Sequence, residues 1–463
     1  MHDLRKKIFE SGKTVSRKAR SRQQSAQASP AGSRAASRAA SRQASEEDDS
    51  SDYEYNESIA SSVINSEDGD ESGLVPPAEI LHNRIVDLLD QKRDGAQDRE
   101  EKLTAYTELI RHHPSAEEID GQVNELIPLL LKTIRGRRTP QGVLWALRAL
   151  MLTILTTGDE SIHDRVYPTL KSLSQDTNYD DDDELIKVAT IKAMGISTMC
   201  GGGSVTAAEE LLEFLIEIIE SDGHIVEAGD NGPVVAAALK TWGFVASGLD
   251  NLEEQSTQAL EAFTEQLESN DVDVQVAAGS NIALLMEAAR EYEEENDEAW
   301  NLRFDQDGLL RRLNALTRES SKAISKRDRR QLHSSFNSIV TSLEHGKGPG
   351  YSTARRFSSN PHTGGNRTDF NDDYQEYGYR QKFRIQNISI TIDSWSLSAR
   401  LEMLKSILGG GLASHYMNNP IVKDLLSGAK TEYVSSPPRD KLTTSKLASK
   451  SGHGKKVAKG VSD

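Results

Sequence analysis

Four short stretches contain residue types that enzymes and metal sites use. Cys200 is the single cysteine of the chain, and His112 and His113 are adjacent. Residues 180–183 are four consecutive aspartates, and "SGHGKKV" (451–457) has the glycines and lysines of a phosphate loop. The chemistries to weigh are a thiol nucleophile, a transition-metal site, a calcium site and a phosphate cradle.

Each stretch lacks what its chemistry requires. Cys200 precedes three glycines and has no flanking base, which favours a core residue at a helix end. The histidine pair precedes Pro114, where the negative end of a helix dipole favours imidazolium. The aspartate run lacks the glycine and distal glutamate of a calcium loop, and "SGHGKKV" lacks the GxxxxGK[ST] spacing. The sequence therefore predicts a binding protein with no catalytic residue, cofactor, metal or small-molecule substrate.

Composition indicates an acidic protein of the cytosol or the nucleus. The formal net charge is −17, and one cysteine excludes an intrachain disulfide, which fits a reducing compartment. No apolar run approaches the roughly 20 residues that span a bilayer. No apolar segment follows the basic start, so no secretory signal and no membrane partner are predicted.

Charge is distributed unevenly along the chain. Residues 1–45 contain eleven Lys or Arg and two acids, whereas residues 46–72 contain eleven acids and no base. From residue 430 to the end there are eight bases and three acids. The middle of the chain is therefore strongly acidic and repels nucleic acid at long range, so any phosphate contact must be local.

The elements that must position any site are helices. Residues 78–345 show helical periodicity throughout, and four helices are apolar nearly all round. Aligning Ala149, Ala193, Thr241 and Asn281 gives spacings of 44, 48 and 40 residues. Such a period predicts a mostly α, armadillo/HEAT-like α-solenoid of stacked helix pairs, with Trp145, Ala193, Trp242 and Ala278 inside.

Composition shifts divide the chain into five regions. Residues 1–77 are predicted to be a disordered tail, 78–345 the helical-repeat domain, 346–379 a flexible linker rich in Gly, Asn and Tyr, 380–428 a small α+β C-terminal module, and 429–463 a disordered basic tail. "FRIQNISITIDSW" (383–395) alternates like a strand, and a helix with a Leu397, Leu401, Leu404, Leu408 stripe follows it.

A dense basic run ends the repeat region. The candidate partner-binding residues are Arg311, Arg312, Lys322, Lys326, Arg327, Arg329 and Arg330, called the basic edge below. Helical spacing places Lys322, Lys326 and Arg330 on one stripe. One interpretation is that this stripe pairs with the acidic body. The other is that it is a docking edge for RNA phosphates or an acidic partner.

Both tails contain further candidates. Arg precedes Ser three residues later at Ser37, Ser41 and Ser45, which indicates either a solvated tail or a phosphorylated arm whose phosphates cancel basic charge. The C-terminal tail spaces Lys441, Lys446, Lys450, Lys455, Lys456 and Lys459 among small and polar residues. It fits either a segment that threads a polyanionic channel or a solubilising or nuclear-import segment.

Three stretches resemble the interferon-related developmental regulator family over roughly 78–428. They are "DVDVQVAAGSNIALLMEAAREY", "KAISKRDRRQLHSSFNSIVTSLE" and "ITIDSWSLSARLEMLKSILGGGLASHYMNNPIVKDLL". The last is the most specific, and its matching residues are Asp393, Trp395, Gly409, Gly410, Gly411, Leu412, His415, Tyr416 and Asn418. The insert between Gly346 and Tyr379, and both tails, depart from the animal members.

The resemblance implies a non-catalytic regulator of gene expression. Family members resemble transcriptional co-regulators that act through chromatin-modifying partners, and the family is also linked to translationally silent ribosomes. An acidic solenoid with a basic edge and basic tails suits rRNA grooves better than free DNA. Ribosomes or rRNA are therefore the first expected partner, and chromatin-modifying complexes are the alternative.

Overall fold

The computed structural model describes residues 53–54, 76–90, 95–176, 183–297, 300, 302, 304–318, 325–357 and 374–434. Within these ranges, no helix is long and apolar enough to cross a membrane. The helices of the repeat region are α1 Pro77–Leu89, α2 Ala96–His112, α3 Ala116–Asp120, α4 Val123–Gly136, α5 Pro140–Thr157, α6 Ile162–Ser174, α7 Asp183–Cys200, α8 Val205–Glu220, α9 Gly232–Ala246, α10 Glu253–Gln266, α11 Val272–Asn296, α12 Gln306–Thr317 and α13 Lys326–His345.

The helices form two rows. Helices α2, α5, α7, α9, α11 and α13 pack against one another in that order and make an inner row. Helices α4, α6, α8, α10 and α12 make an outer row, and each packs on the inner helix that follows it. The prediction of an armadillo/HEAT-like solenoid of stacked helix pairs is confirmed.

Glycines let the inner helices approach closely. A Cβ on Gly195 would lie 2.6 Å from Cγ2 of Thr241, and one on Gly243 would lie 2.4 Å from Oδ1 of Asn281. Thr241 and Asn281 are repeat-aligned positions, so a glycine of one inner helix receives the aligned residue of the next. Asn281 Nδ2 also donates to the Leu239 carbonyl at 2.8 Å, which satisfies a buried amide.

Local sequence determines where inner helices begin and end. Thr139, Asn231 and Asp271 cap α5, α9 and α11 with side-chain oxygens that accept backbone N–H bonds. Gly158 ends α5 in the left-handed conformation. Ala193, Trp242 and Ala278 are fully buried, as predicted, whereas Trp145 is only half-buried, with the Arg148 guanidinium over its ring.

Beyond the rows come helices α14 Trp395–Leu408, α15 Leu412–Asn418 and α16 Pro420–Leu425, with a short 3₁₀ turn Gly409–Gly411 between α14 and α15. The strands are β1 Tyr53–Glu54, β2 Tyr351–Phe357, β3 Tyr374–Tyr379, β4 Lys382–Ile385, β5 Ile388–Thr391 and β6 Lys430–Tyr433. One sheet has the order β1-β4-β5-β6, in which β1 is parallel to β4 and the other pairs are antiparallel. Strands β2 and β3 form a separate antiparallel pair.

The C-terminal segment lies against the inner row. Helix α14 packs on α9, α11 and α5, α15 packs on α2, and α16 packs on α5. The residues predicted to form one apolar stripe of α14 are buried, and so are Met403 and Ile407. The segment is therefore integrated with the repeat helices instead of following them as a separate unit.

Three details differ from the sequence expectations. The predicted linker 346–379 contains β2 and β3 at its ends, where aromatic residues pair: the rings of Tyr351 and Tyr379 lie 5.1 Å apart. The single expected strand is a hairpin, because Gln386 has a positive φ of 49° at the turn. The predicted tail from 429 begins with β6, which pairs with β5.

Candidate nucleic-acid interface and the docked C-terminal segment

The basic edge lies where α12 and α13 pack together at the end of the helix rows. Leu332, Phe336 and Ile339 are buried and hold α13 against the rows. Lys326 and Arg327 are the first two residues of α13, and Arg330 follows one turn later. Lys322 lies outside the described residues.

The members of the basic edge differ in their partners. Arg311 has an Asp305 carboxylate at 3.9 Å, and Arg312 has Glu268 at 3.7 Å, both across exposed surface. Arg329 is half-buried. Lys326, Arg327 and Arg330 are exposed, and in the described part of the chain no carboxylate lies within ion-pair distance of them.

Two of these cations, Lys326 and Arg327, occupy a position that is electrostatically unfavourable for the helix. Ser325 caps α13 by accepting from the Asp328 amide, and Lys326 and Arg327 follow at once. The N-terminal end of a helix bears a partial positive charge, which favours acids there and disfavours bases. Cations at this end do not stabilise α13 through the dipole, but they add to a positive potential that an anionic partner would meet.

The C-terminal family stretch meets the helix rows at the start and in the middle of α14. The Trp395 amide donates to Oε1 of Glu287 at 2.7 Å, and the Trp395 indole donates to Oγ of Ser342 at 2.9 Å. Midway, the Arg400 guanidinium donates to the hydroxyl and carbonyl oxygens of Ser247. These bonds join α14 to α11, α13 and the end of α9.

Beyond α14, the chain approaches α2 and α5. A Cβ on Gly411 would lie 1.9 Å from the Arg111 carbonyl oxygen, so no side chain fits there. Nε2 of the buried His415 bonds the Ile110 carbonyl at 3.1 Å. Asn419 Nδ2 donates to the Leu155 carbonyl at 2.7 Å and contacts Nδ1 of His415 at 3.2 Å.

Burial accounts for the titration of His415. Desolvation lowers its pKa to about 4 in spite of bonds to the backbone of Ile110 and Arg111. The imidazole is therefore neutral over the physiological range, and it acts as a hydrogen-bonding side chain between α15 and α2.

The other residues of the family stretch divide by exposure. Leu412 is buried. The Asp393 carboxylate forms an ion pair with Lys430, with 2.8 Å between Oδ2 and Nζ. Tyr416 is half-buried, whereas Gly410 and Asn418 are exposed. Gly409 has a φ of 49° at the end of α14, which favours glycine. The neighbouring Asn419, which the sequence comparison did not single out, makes the docking bonds instead of Asn418.

The histidine pair and the cysteine have structural surroundings. His112 is buried, and desolvation lowers its pKa. The sequence predicted that the helix dipole would stabilise imidazolium here. At His112 the cost of desolvation outweighs that effect, because the docked Gly409–Gly411 turn packs on α2. Burial raises the pKa of Cys200 to about 12, so its thiol stays protonated.

Several predicted sites fall outside the described residues. They are Ser37, Ser41, Ser45 and the tail lysines Lys441, Lys446, Lys450, Lys455, Lys456 and Lys459. Aspartates 180–182 also lie outside, and Asp183 begins α7.

Sequence reasoning missed the repeat-region side of the docking surface. Ser342 lies among other polar residues of α13 and gave no signal, whereas Glu287 is a single charged residue in an apolar stretch of α11, which could have identified it. Arg148, Lys192 and Lys240 show the same signal: each immediately precedes a repeat-aligned residue of an apolar inner helix. Arg148 and Lys192 line a cavity of about 390 Å³ between α2, α5, α7 and the end of α14.

Comparison with known proteins agrees with this architecture. The family model described as interferon-related developmental regulator matches residues 40–344, which is more than half of the chain. The chain belongs to the interferon-related developmental regulator family. The matched residues end within α13, so they cover the helix rows and the basic edge but not α14 to α16.

Individual relatives cover the chain to different extents. An uncharacterized protein of Schizosaccharomyces pombe is 28% identical over 363 residues, which are 75% of this chain and 74% of the yeast protein. Interferon-related developmental regulator 2 of Mus musculus is 25% identical over 207 residues, or 44% of this chain and 39% of the mouse protein. Interferon-related developmental regulator 1 of Sus scrofa is 23% identical over 208 residues, which are 44% of this chain and 38% of the pig protein. The matched segments thus span less than half of these two mammalian regulators.

Proposed function

We propose that this family member regulates gene expression as a non-enzymatic scaffold that associates with ribosomes, through contacts of the basic edge and the basic tails with rRNA phosphates. The observation that carries the proposal is the exposed group Lys326, Arg327 and Arg330, which has no carboxylate within ion-pair distance among the described residues. Translation is the process that such binding would regulate.

Charge supports a local contact. The protein has a net charge of −17, so a polyanion is attracted only where cations are concentrated. Cations at the N-terminal end of α13 add to the positive helix end and form such a point. Folded RNA presents phosphates and 2′-hydroxyls in shallow grooves, which the exposed cations of the basic edge can reach.

A nuclear transcriptional co-regulator that recruits chromatin-modifying complexes is the second candidate. The acidity of the chain favours it, because an acidic body binds basic protein partners more readily than nucleic acid. In that case the basic edge would contact an acidic protein surface.

Sucrose-gradient fractionation of growing and starved cells tests the proposal. The chain and its Lys326→Ser, Arg327→Ser, Arg330→Ser triple variant are followed by blot at low and high salt. We expect the parent to sediment with ribosomes at low salt and to dissociate at high salt, and the variant to dissociate earlier. If parent and variant stay together in a chromatin fraction or at the top of the gradient, the ribosome proposal is wrong.

A further inference from the structure

A second positively charged region lies on the inner row, away from the basic edge. The cavity of about 390 Å³ is bounded by α2, α5 and α7, and the end of α14 closes one side with Ser406, Ile407 and Gly409. Three cations line it: Arg111, Arg148 and Lys192. Its volume falls within the range of small-molecule sites, about 300–1,000 Å³.

These cations are poorly neutralised. Arg111 pairs with Glu108 at 3.0 Å, and Glu108 is the one carboxylate among the described residues that line the cavity. Nε of Arg111 is buried and has no hydrogen-bond partner in the described structure. Arg148 and Lys192 have no ion pair among the described residues, so the lining has a net charge of +2.

The protein surroundings hold the cations in place. The Arg148 guanidinium lies 4.8 Å from the centroid of the Trp145 ring, which restrains its orientation. Leu144, Met151 and Val188 form apolar walls of the cavity, and Leu185, which also lines it, is 59% exposed.

We propose that this cavity binds a small phosphate monoester, with the phosphate on Arg111, Arg148 and Lys192 and the organic group on the apolar walls. A monoester has a charge of about −1.5 to −2 at neutral pH, which matches the lining. Guanidinium groups bind phosphate oxygens in bidentate geometry, and lysine adds a point charge. A single phosphodiester of RNA, with one charge, would leave part of the lining unneutralised.

The cations oppose one another in the absence of an anion. Burial lowers the pKa of Lys192, and Lys240 and Arg148 lower it further. Burial and the neighbouring Arg111 likewise lower the pKa of Arg148. The half-buried cations thus cost folding free energy that a bound dianion would offset.

A reversal in the order of the unfolding midpoints of parent and variant tests whether the cavity binds phosphate. Thermal unfolding of the full chain is measured with increasing inorganic phosphate at constant ionic strength, for the parent, Lys192→Met and Arg148→Gln. We expect phosphate to raise the parent midpoint. Without phosphate, we expect Lys192→Met to unfold at a higher temperature than the parent, and with phosphate the order should reverse. Lys423→Gln, which removes an exposed lysine of α16, should behave as the parent.

Outcomes that overturn the proposal are specific. It fails if phosphate leaves the parent midpoint unchanged, or if both cavity variants respond to phosphate as the parent does. Circular dichroism verifies that each variant is folded. If one cavity variant does not fold, the response of the other variant to phosphate decides the test.

Calorimetry then tests the organic part. Adenosine 5′-monophosphate should bind about tenfold or more tightly than inorganic phosphate, because its organic group covers apolar wall, and Lys192→Met should lose about tenfold or more in affinity. Uncharged adenosine should not bind. Equal affinities for inorganic phosphate and the monoester, or equally tight binding of an oligoribonucleotide without terminal phosphates, would contradict a monoester site.

Discussion

The amide nitrogen of Trp395 lies 2.7 Å from Oε1 of Glu287, and the Ser396 amide lies 3.2 Å from the same oxygen. An acid of α11 therefore accepts from the first backbone donors of α14, although 108 residues separate it from Trp395. Glu287 is only 6% exposed, and desolvation raises its pKa to about 7 against the opposing effect of these two bonds. The docking of the C-terminal segment is thus tied to a titrating group.

The first prediction is a fall in stability with rising pH that depends on Glu287. The pKa of Glu287 rises from 4.5 in the free side chain to about 7 in the folded protein. Between these values the folded chain holds a proton that the unfolded chain releases, so the unfolding free energy decreases as pH rises. Glu287→Gln should remove this decrease, on the order of 3 kcal/mol across the interval. Denaturant unfolding measured from pH 4.5 to 7.5 checks it.

Glu293→Gln is the matched control for this prediction. Glu293 is exposed on the same helix, and the substitution has the same chemistry. Its stability curve should run parallel to that of the parent. If the Glu287→Gln curve is also parallel to the parent curve, burial does not raise the pKa of the Glu287 carboxyl in the folded protein.

The second prediction has the opposite sign and concerns His415. Its pKa falls from 6.5 to about 4 on folding, so the unfolded chain binds the proton first as pH decreases. Acidification from about pH 6.5 to 4 therefore lowers the free energy of unfolding. His415→Gln keeps a donor for the Ile110 carbonyl but does not titrate, so its stability should no longer fall on acidification. The Glu287 and His415 effects oppose each other over most of this range, so the two single variants should tilt the pH curve in opposite directions. Identical slopes for the two variants would refute this assignment.

The third prediction concerns the close approach of α9 and α11. A Cβ on Gly243 would meet Oδ1 of Asn281 at 2.4 Å and Cβ of Ala399 at 3.7 Å. Gly243→Leu should therefore overpack both the inner row and α14, at a cost of about 1–3 kcal/mol, measured by thermal unfolding. Gly136→Leu is the control, because a Cβ at Gly136 meets no atom within 4 Å. If both variants melt with the parent, the aligned positions are not in contact.

The repeat rows could be predicted because their information is local and periodic. Ala149, Ala193, Thr241 and Asn281 recur at 40 to 48 residues, and each lies in an apolar helix. The docking of α14 to α16 could not be predicted in this way. His415 and Ile110 are 305 residues apart, and nothing in the local pattern of either indicates the other. Asn418 and Asn419 are likewise indistinguishable by sequence type, although only Asn419 is buried.

The basic edge was identifiable from charge density alone, but its pairing was not. The acidic neighbour of Arg311 is Asp305, which caps the same helix, and that of Arg312 is Glu268, which follows α10. Lys326, Arg327 and Arg330 have no carboxylate within ion-pair distance in the part of the chain described here. The ion pairs of Arg311 and Arg312 involve residues outside the predicted stripe of Lys322, Lys326 and Arg330, so the docking interpretation of that stripe stays a prediction. The inner cations Arg148 and Lys192 were missed, because an isolated charge in an apolar helix does not reveal which helices surround it.

The fourth prediction concerns the basic tail. Removal of residues 435–463 leaves β6 and the Lys430–Asp393 ion pair in place, whereas removal from 430 would delete both. The shorter deletion should keep the parent melting temperature and weaken co-sedimentation with ribosomes at moderate salt, since it removes tail cations that would contact phosphates. Unchanged co-sedimentation together with a reduced nuclear fraction would show that the tail is a targeting signal.

The fifth prediction is the salt dependence of RNA binding, which tests the proposed function most directly. Dissociation constants for purified ribosomes are measured over a series of salt concentrations, for the parent, the Lys326→Ser, Arg327→Ser, Arg330→Ser variant, and a control in which the exposed Lys132, Lys171 and Lys423 are changed to Ser. Each lost phosphate contact should reduce the log–log slope by about 0.7–0.9, so the edge variant should lose about 2 to 3 in slope while the control keeps the parent slope. Equal slopes for all three proteins would contradict the account.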